Sequence, residues 1–257
     1  MILTTTTPSA RHTFVLLHGA WHGAWCWKRV TQRLRAAGHH VYTPTLTGLG
    51  ERSHLLAADI TLETCAQDLI NVFLWEDLND VVLVGHSFGG IAASAAADRI
   101  PERIRCLVYL DSLIIQSGES PFSVLPPDIA QARRALAKQS PGGLSIPPPP
   151  PGAFGVTDAQ DAQWLQEKCT PHPVSTYEST LILQHPVGND LPASYIAVKP
   201  DYAPLASVRQ WVRAHTSWDY HEIEAGHDAM VTSPQAVSEL LVQLADQAQR
   251  CRQRRPI

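Results

Sequence analysis

The sequence predicts an α/β protein: a doubly wound, mostly parallel sheet interrupted once by an inserted helical cap. Three observations carry this. Short β-rich apolar runs alternate with helical stretches along most of the chain. Several of those runs are apolar at consecutive positions, as strands buried on both faces of a parallel sheet must be. The alternation then fails over 112–186, where prolines crowd in.

In order, the strand-like runs are 13–17, 41–42, 81–84, 104–110 and 195–198, with a weaker one at 220–223. Helical patterns fall between them at 26–37, 62–74, 91–99, 205–215 and 234–249. The last opens with Ser233 as a cap and Pro234 in the first turn, a strong start signal because proline's missing N–H is not needed there. Within 112–186 only 129–138 and 159–169 read as helical, and five consecutive prolines run from Pro147 to Pro151. A structureless loop of that length does not suit a compact domain. The expected organisation is therefore a core of 1–111 and 187–257 carrying a cap of 112–186, with the proline run as a stiff linker inside the cap.

Composition narrows the function. The chain has 257 residues, 44% hydrophobic and 17% charged, with a net charge of -4, which is globular and offers no nucleic-acid surface. The basic tail of Arg250, Arg252, Arg254 and Arg255 reads as a solvated end. Five cysteines without metal-like spacing favour a reducing compartment over a disulfide framework. Neither a signal peptide nor an apolar run of about 18 residues is visible, so a cytoplasmic protein without a membrane anchor is expected, and a homodimer stays open.

Three segments carry chemistry. In Val81-Val82-Leu83-Val84-Gly85-His86-Ser87-Phe88-Gly89-Gly90 a buried strand meets G-x-S-x-G and then an alanine-rich helix. A nucleophile on so sharp a turn needs glycines where a Cβ would clash, and the Phe88 amide then points at a developing oxyanion. The segment also lies one substitution from the dinucleotide fingerprint, with Asp111 ending the next strand. Ser87, however, occupies the glycine position where a pyrophosphate must approach, and two strand–helix units precede the motif. The second segment, His18-Gly19-Ala20-Trp21-His22-Gly23-Ala24-Trp25, is a small-residue turn leaving a strand, and Ala20 is assigned as the second oxyanion donor. His18 and His22 lack a carboxylate in the same turn, so a structural role outweighs metal binding. The third, Gly226-His227-Asp228-Ala229-Met230, places a loop histidine after the last strand, and the order serine, acid, histidine makes His227 the base. Asp201, at the end of the 195–198 strand, is assigned as the acid ahead of Asp111.

Together with Leu46-Thr47-Gly48-Leu49-Gly50-Glu51-Arg52, these segments resemble the α/β-hydrolase superfamily, in the branch of plant methylesterases and hydroxynitrile lyases. The resemblance implies the α/β-hydrolase fold, a triad of Ser87, Asp201 and His227, and oxyanion donors Ala20 and Phe88. It also implies a lid after Asp111 and no metal or organic cofactor. The lyases of the branch carry a threonine after the first loop histidine and a lysine after the catalytic one. This chain has Gly19 and Asp228 there, which favours an esterase.

The expected activity is hydrolysis of a small, largely apolar carboxylic ester through an acyl-enzyme. The expected pocket includes Gly19, Trp21, Phe122, Phe154 and Trp164. Two alternatives stay open: a lyase or other C–C-cleaving enzyme on the same triad, and a ligand-binding, receptor-like relative with vestigial turnover.

Overall fold

The computed structural model describes residues 10–215 and 217–253, so residues 1–9 and the tail arginines Arg254 and Arg255 lie outside it. The strands are β1 (Thr13–Leu17), β2 (His40–Tyr42), β3 (Val81–His86), β4 (Ile104–Leu110), β5 (Ser145–Ile146), β6 (His172–Pro173), β7 (Ala193–Lys199) and β8 (Asp219–Glu224). The helices are α1 (Lys28–Ala36), α2 (Leu62–Trp75), α3 (Gly89–Arg99), α4 (Pro121–Val124), α5 (Pro127–Gln139), α6 (Ala159–Lys168), α7 (Ser175–Glu178), α8 (Ala206–Ala214), α9 (Ala229–Thr232) and α10 (Pro234–Gln253). Element ends shift by a few residues from the sequence reading. The helix expected from Cys26 opens as a 3-10 turn, Ala24–Trp27, and the serine-bearing turn passes into helix at Gly89 instead of Ile91.

Six strands form one sheet in the order β2-β1-β3-β4-β7-β8, every neighbouring pair parallel. Every residue of β3 is buried, which is why VVLVGH is apolar without alternation. α3 packs against this strand and against α2, and its Ala92, Ala93, Ala95, Ala96 and Ala97 are all buried. Their small side chains let the helix backbone lie close behind the serine turn. α2 opens with a reciprocal capping box between Thr61 and Thr64. Arg250 and Arg252, two of the tail arginines, belong to the last turns of α10, and Arg252 pairs with Asp80 at 2.8 Å.

Between β4 and β7 the chain leaves the sheet and carries α4 to α7 and the antiparallel pair β5-β6. This excursion is tied back to the core at two points. Arg29 on α1 grips the Asp161 carboxylate with two bonds, at 3.0 and 2.5 Å. Asp98 on α3 accepts the Gln184 and His185 amides at 2.8 to 3.0 Å. Among the described residues no helix is long and apolar enough to cross a membrane.

The tightest constraint in the fold sits at the start of α3. A Cβ on Gly90 would lie 1.9 Å from the Ser112 hydroxyl and 2.9 Å from the Leu113 carbonyl oxygen. Gly90→Ala is therefore expected to lower stability by about 1–3 kcal/mol through overpacking. Urea unfolding checks this, and an unchanged midpoint would mean that the turn and the segment after β4 do not meet so closely.

Candidate active site

The serine turn connects β3 to α3. Ser87 sits at φ 52, in the left-handed region that an L residue enters only when its surroundings hold it there. Those surroundings are visible. The Ser87 amide donates to the Leu110 carbonyl at 3.1 Å, and its own carbonyl accepts from the Leu113 amide and the Ser112 hydroxyl, both at 2.8 Å. A Cβ on Gly19 would come within 2.8 Å of the Ser87 Cβ, so the β1 turn can pass this close only as glycine.

His227 follows β8 and reaches across two strands to the serine. Its Nε2 lies 2.9 Å from Ser87 Oγ and its Nδ1 lies 2.6 Å from Asp111 Oδ2. A carboxylate can only accept, so Nδ1 carries the proton and Nε2 offers its lone pair to the serine hydroxyl. The ring is packed flat against Tyr202, with centroids 3.8 Å apart and planes 15° from parallel. Burial pushes the Tyr202 phenol up to about 12, which keeps that neighbour neutral.

The acid position corrects the sequence reading. Asp201 does not face His227. Its carboxylate is largely exposed and pairs with Arg209 Nη1 at 2.5 Å. Asp111, fully buried at the end of β4, occupies the place instead. The physical reason is strand order: β4 is the immediate neighbour of β3, whereas β7 lies one strand further from the serine. Arg209 on α8 donates to Asp111 Oδ1 through Nη2 at 2.6 Å and Nε at 3.2 Å, so each carboxylate oxygen of Asp111 has its own partner. Burial opposes ionisation of Asp111, but His227 and Arg209 outweigh it and hold the carboxyl below its ordinary range. A lowered native pKa contributes stability above the unfolded value of about 3.9, and that contribution is lost as pH falls through the lowered native value.

Neither the Ala20 nor the Phe88 amide meets an internal acceptor among the described residues, and both residues are buried beside Ser87. His18 and His22, weighed as metal ligands from the sequence, have both ring nitrogens engaged by protein groups. His18 bonds the Gly19 carbonyl and the Leu46 amide, and His22 bonds the Ala20 carbonyl and Asp228.

Beside His227 opens a cavity of about 870 Å³, within the range of sites that enclose a small organic molecule. Trp21, Ile146, Phe154 and Tyr202 line it, and Pro147 to Pro150 form part of its wall. Of the five residues expected in the pocket, Trp21 and Phe154 line this cavity, while Gly19 backs the serine. Phe122 packs 5.2 Å from the Tyr177 ring beneath the Arg134 guanidinium, and Trp164 packs on Trp25 and Arg29. Both are packing residues, because a sequence gives an aromatic's type but not its direction. The sequence reading also missed Tyr202, Arg209 and the buried partnership of His22 with Asp228. An acid directly after the largely apolar run 104–110 was the one signal available for Asp111.

The fold and this serine–histidine–aspartate row define a hydrolase class, and the comparisons agree. The model of the alpha/beta hydrolase family matches residues 14–240. A carbendazim hydrolyzing esterase of Nocardioides sp. (strain SG-4G) is 37% identical over 240 residues, covering 90% of this chain and 98% of that one. Methylesterase 10 of Arabidopsis thaliana is 27% identical over 258 residues, covering 91% and 92%. Among solved structures, an extracellular alpha/beta-hydrolase from a Paenibacillus species superposes with a TM-score of 0.79 at 25% identity, covering 91% of this chain and 98% of its own. The chain belongs to the alpha/beta hydrolase family. Within it, this is a carboxylic ester hydrolase of the esterase type.

Replacing Asp111 with Asn would leave His227 in the wrong tautomer, so kcat on p-nitrophenyl acetate is expected to fall about 10⁴-fold. Asp201→Asn removes a largely exposed carboxylate from an Arg209 that keeps its bonds to Asp111, and should cost no more than about fivefold. Steady-state kinetics on the two variants decides the assignment, and the reverse ranking would return the acid role to Asp201.

Proposed function

We propose that the protein hydrolyses small, largely apolar carboxylic esters through an acyl-enzyme formed on Ser87. The observation that carries this is the continuous row from Asp111 through His227 to Ser87, with bonds of 2.6 and 2.9 Å. In acylation Ser87 Oγ attacks the carbonyl carbon while His227 Nε2 takes the hydroxyl proton. The carbonyl π electrons move onto oxygen, which the Ala20 and Phe88 amides receive. When the tetrahedral intermediate collapses, the C–O bond to the alcohol breaks and His227 returns the proton to the leaving oxygen. Water then repeats the sequence on the acyl-enzyme, and Asp111 balances the imidazolium in each half.

The cap, residues 112–186, selects the substrate. The proline wall and aromatic residues of the cavity favour flat or aliphatic groups over strongly hydrated ones. The Nocardioides relative, named for carbendazim hydrolysis, brings that compound into the panel of candidates. Asp228 bears on the lyase alternative. The position directly after the histidine holds a buried carboxylate bonded to His22 at 3.0 Å, not a cation able to stabilise a cyanide leaving group. The five unpaired thiols support a reducing, cytoplasmic setting.

Ser87→Ala should keep the fold and reduce hydrolysis of p-nitrophenyl acetate, p-nitrophenyl butyrate and carbendazim by at least about 10³-fold. Fluorophosphonate should label the wild type at Ser87 and nowhere in the variant. Unlabelled wild-type protein, or mandelonitrile cleavage exceeding ester turnover, would displace the esterase reading.

A further inference from the structure

A buried polar cluster between the oxyanion turn and the His227 loop takes no part in the chemistry above. Three consecutive positions of the turn are each held by a histidine. The Gly19 carbonyl accepts from His18 Nδ1 at 2.8 Å, the Ala20 carbonyl accepts from His22 Nδ1 at 2.7 Å, and the Trp21 amide donates to His172 Nδ1 at 3.3 Å. The Gly19 carbonyl belongs to the same peptide unit as the Ala20 N–H. His18 fixes that unit and His22 fixes the next one, so the two rings hold both peptide planes that flank the Ala20 Cα.

The partners of each ring fix its protonation. His18 Nε2 accepts from the Leu46 amide at 3.1 Å, so this ring is neutral with its proton on Nδ1, and burial holds it down at about 3. His172 accepts at Nδ1 and donates from Nε2 to Thr176 Oγ1 at 2.8 Å, so it is neutral with the opposite tautomer. His22 is different. Nδ1 faces a carbonyl and Nε2 faces the Asp228 carboxylate at 3.0 Å, and both of those groups are acceptors. Satisfying both requires two N–H groups, which only the imidazolium has. Burial works against the charge, yet Asp228 outweighs it and raises His22 well above its ordinary value. Asp228 is likewise held below its ordinary range, against the cost of burial, chiefly by His22. The other neighbours of the His22 ring are Cys169 Sγ, 3.9 Å from Nε2, and the rings of Trp25, His86 and Phe154. His86 stays neutral, because burial pushes it down to about 3.

Asp228 is joined through the chain to His227. The His227 carbonyl accepts from His86 Nε2 at 3.0 Å, and the Asp228 amide donates to the Phe154 carbonyl at 3.3 Å. The two halves of the site, the donor turn after β1 and the base after β8, therefore meet at one buried ion pair whose side chains are 1% and 0% exposed.

We propose that the His22–Asp228 ion pair is a positioning device that sets the Ala20 oxyanion donor against His227. Neither residue touches the substrate, and the proposal rests on the roles given above to Ser87, His227 and Ala20. Breaking one side of a buried pair also strands a charge, which costs stability. A purely structural role must therefore be separable from a positioning one.

Four variants of the full chain separate them: Asp228→Ala, Asp228→Asn, His22→Ala and the double alanine variant. Each single alanine should lower kcat on p-nitrophenyl acetate about 100-fold, the scale of a misplaced oxyanion donor, with KM within about threefold. The double variant should be no slower than the slower single, since one bond can be lost only once. Asp228→Asn should restore kcat to within about tenfold of wild type, because an amide can still donate to a neutral His22. A trifluoromethyl ketone, whose serine adduct carries the oxyanion, should lose affinity in step with kcat. Alanine variants within threefold of wild-type kcat, a double variant losing the product of the singles, or a loss borne by KM would each overturn the proposal. Should the alanine variants fail to fold, the ¹⁵N shifts of His22 in wild-type protein at pH 8 decide the matter, and a neutral ring overturns it. Fluorophosphonate labelling of wild-type Ser87 keeps the two levels apart. No labelling sinks the hydrolase reading itself, whereas labelling with undiminished alanine variants sinks only the role of the pair.

Discussion

One imidazole has to face two ways at once, and the rest of the site is arranged around that requirement. His227 can accept a proton from Ser87 only if its other nitrogen is already committed as a donor. Asp111 makes that commitment at 2.6 Å from a fully buried position. A carboxylate so placed would tend to take up a proton itself. His227 on one oxygen and Arg209 on the other together keep it ionised. Arg209 is in turn fully buried along α8 and pairs outward with Asp201. The sequence from solvent to nucleophile is thus Asp201, Arg209, Asp111, His227, Ser87, with alternating charge along the first three members.

The parallel sheet makes this arrangement possible because parallel strands deliver their carboxyl ends to one edge. β3 ends in the serine turn, β4 in Asp111 and β8 in the His227 loop, while β1 ends in the turn that offers Ala20. Four segments far apart in the chain arrive at the same edge without any of them having to be long. Their closeness is bought with small residues: Gly19 against Ser87, and Gly90 against Ser112.

The strand–turn–helix around Ser87, the strand-end position of the oxyanion turn and the loop position of His227 were legible in the sequence. Each rests on a local signal: a consecutive apolar run, a glycine pattern, a capped helix. The choice between Asp111 and Asp201 was not local. Both end apolar strands, and both precede an element that turns the chain back. Only the order of strands in the sheet separates them, and that order is set by long-range pairing invisible to a motif. The serine–acid–histidine order holds for either aspartate, so it had no power to discriminate. The same limit applies to the pocket. Trp21 and Phe154 line the cavity while Phe122 and Trp164 do not, and nothing in composition or spacing distinguishes the two pairs. Arg209 had no signal at all, since an arginine in an amphipathic helix reads as a surface residue until a buried carboxylate is seen facing it.

The charges around the His227 ring largely offset one another. Asp111 and Arg209 offset one another, as do Asp228 and His22 on the opposite side of the loop, and His86 remains uncharged. Asp201 adds one further negative charge beyond Arg209, attenuated by its exposure to solvent. Arg133, which lines the same cavity, offsets that charge, so the resting site is close to neutral. When the proton moves from Ser87 to His227, a cation appears on the ring and an anion on the substrate oxygen. In the proposed mechanism the ring's new charge would meet Asp111 directly, and the oxygen's would meet the Ala20 and Phe88 amides. In the mechanism proposed above, donors already in place would spare the reorganisation that water requires.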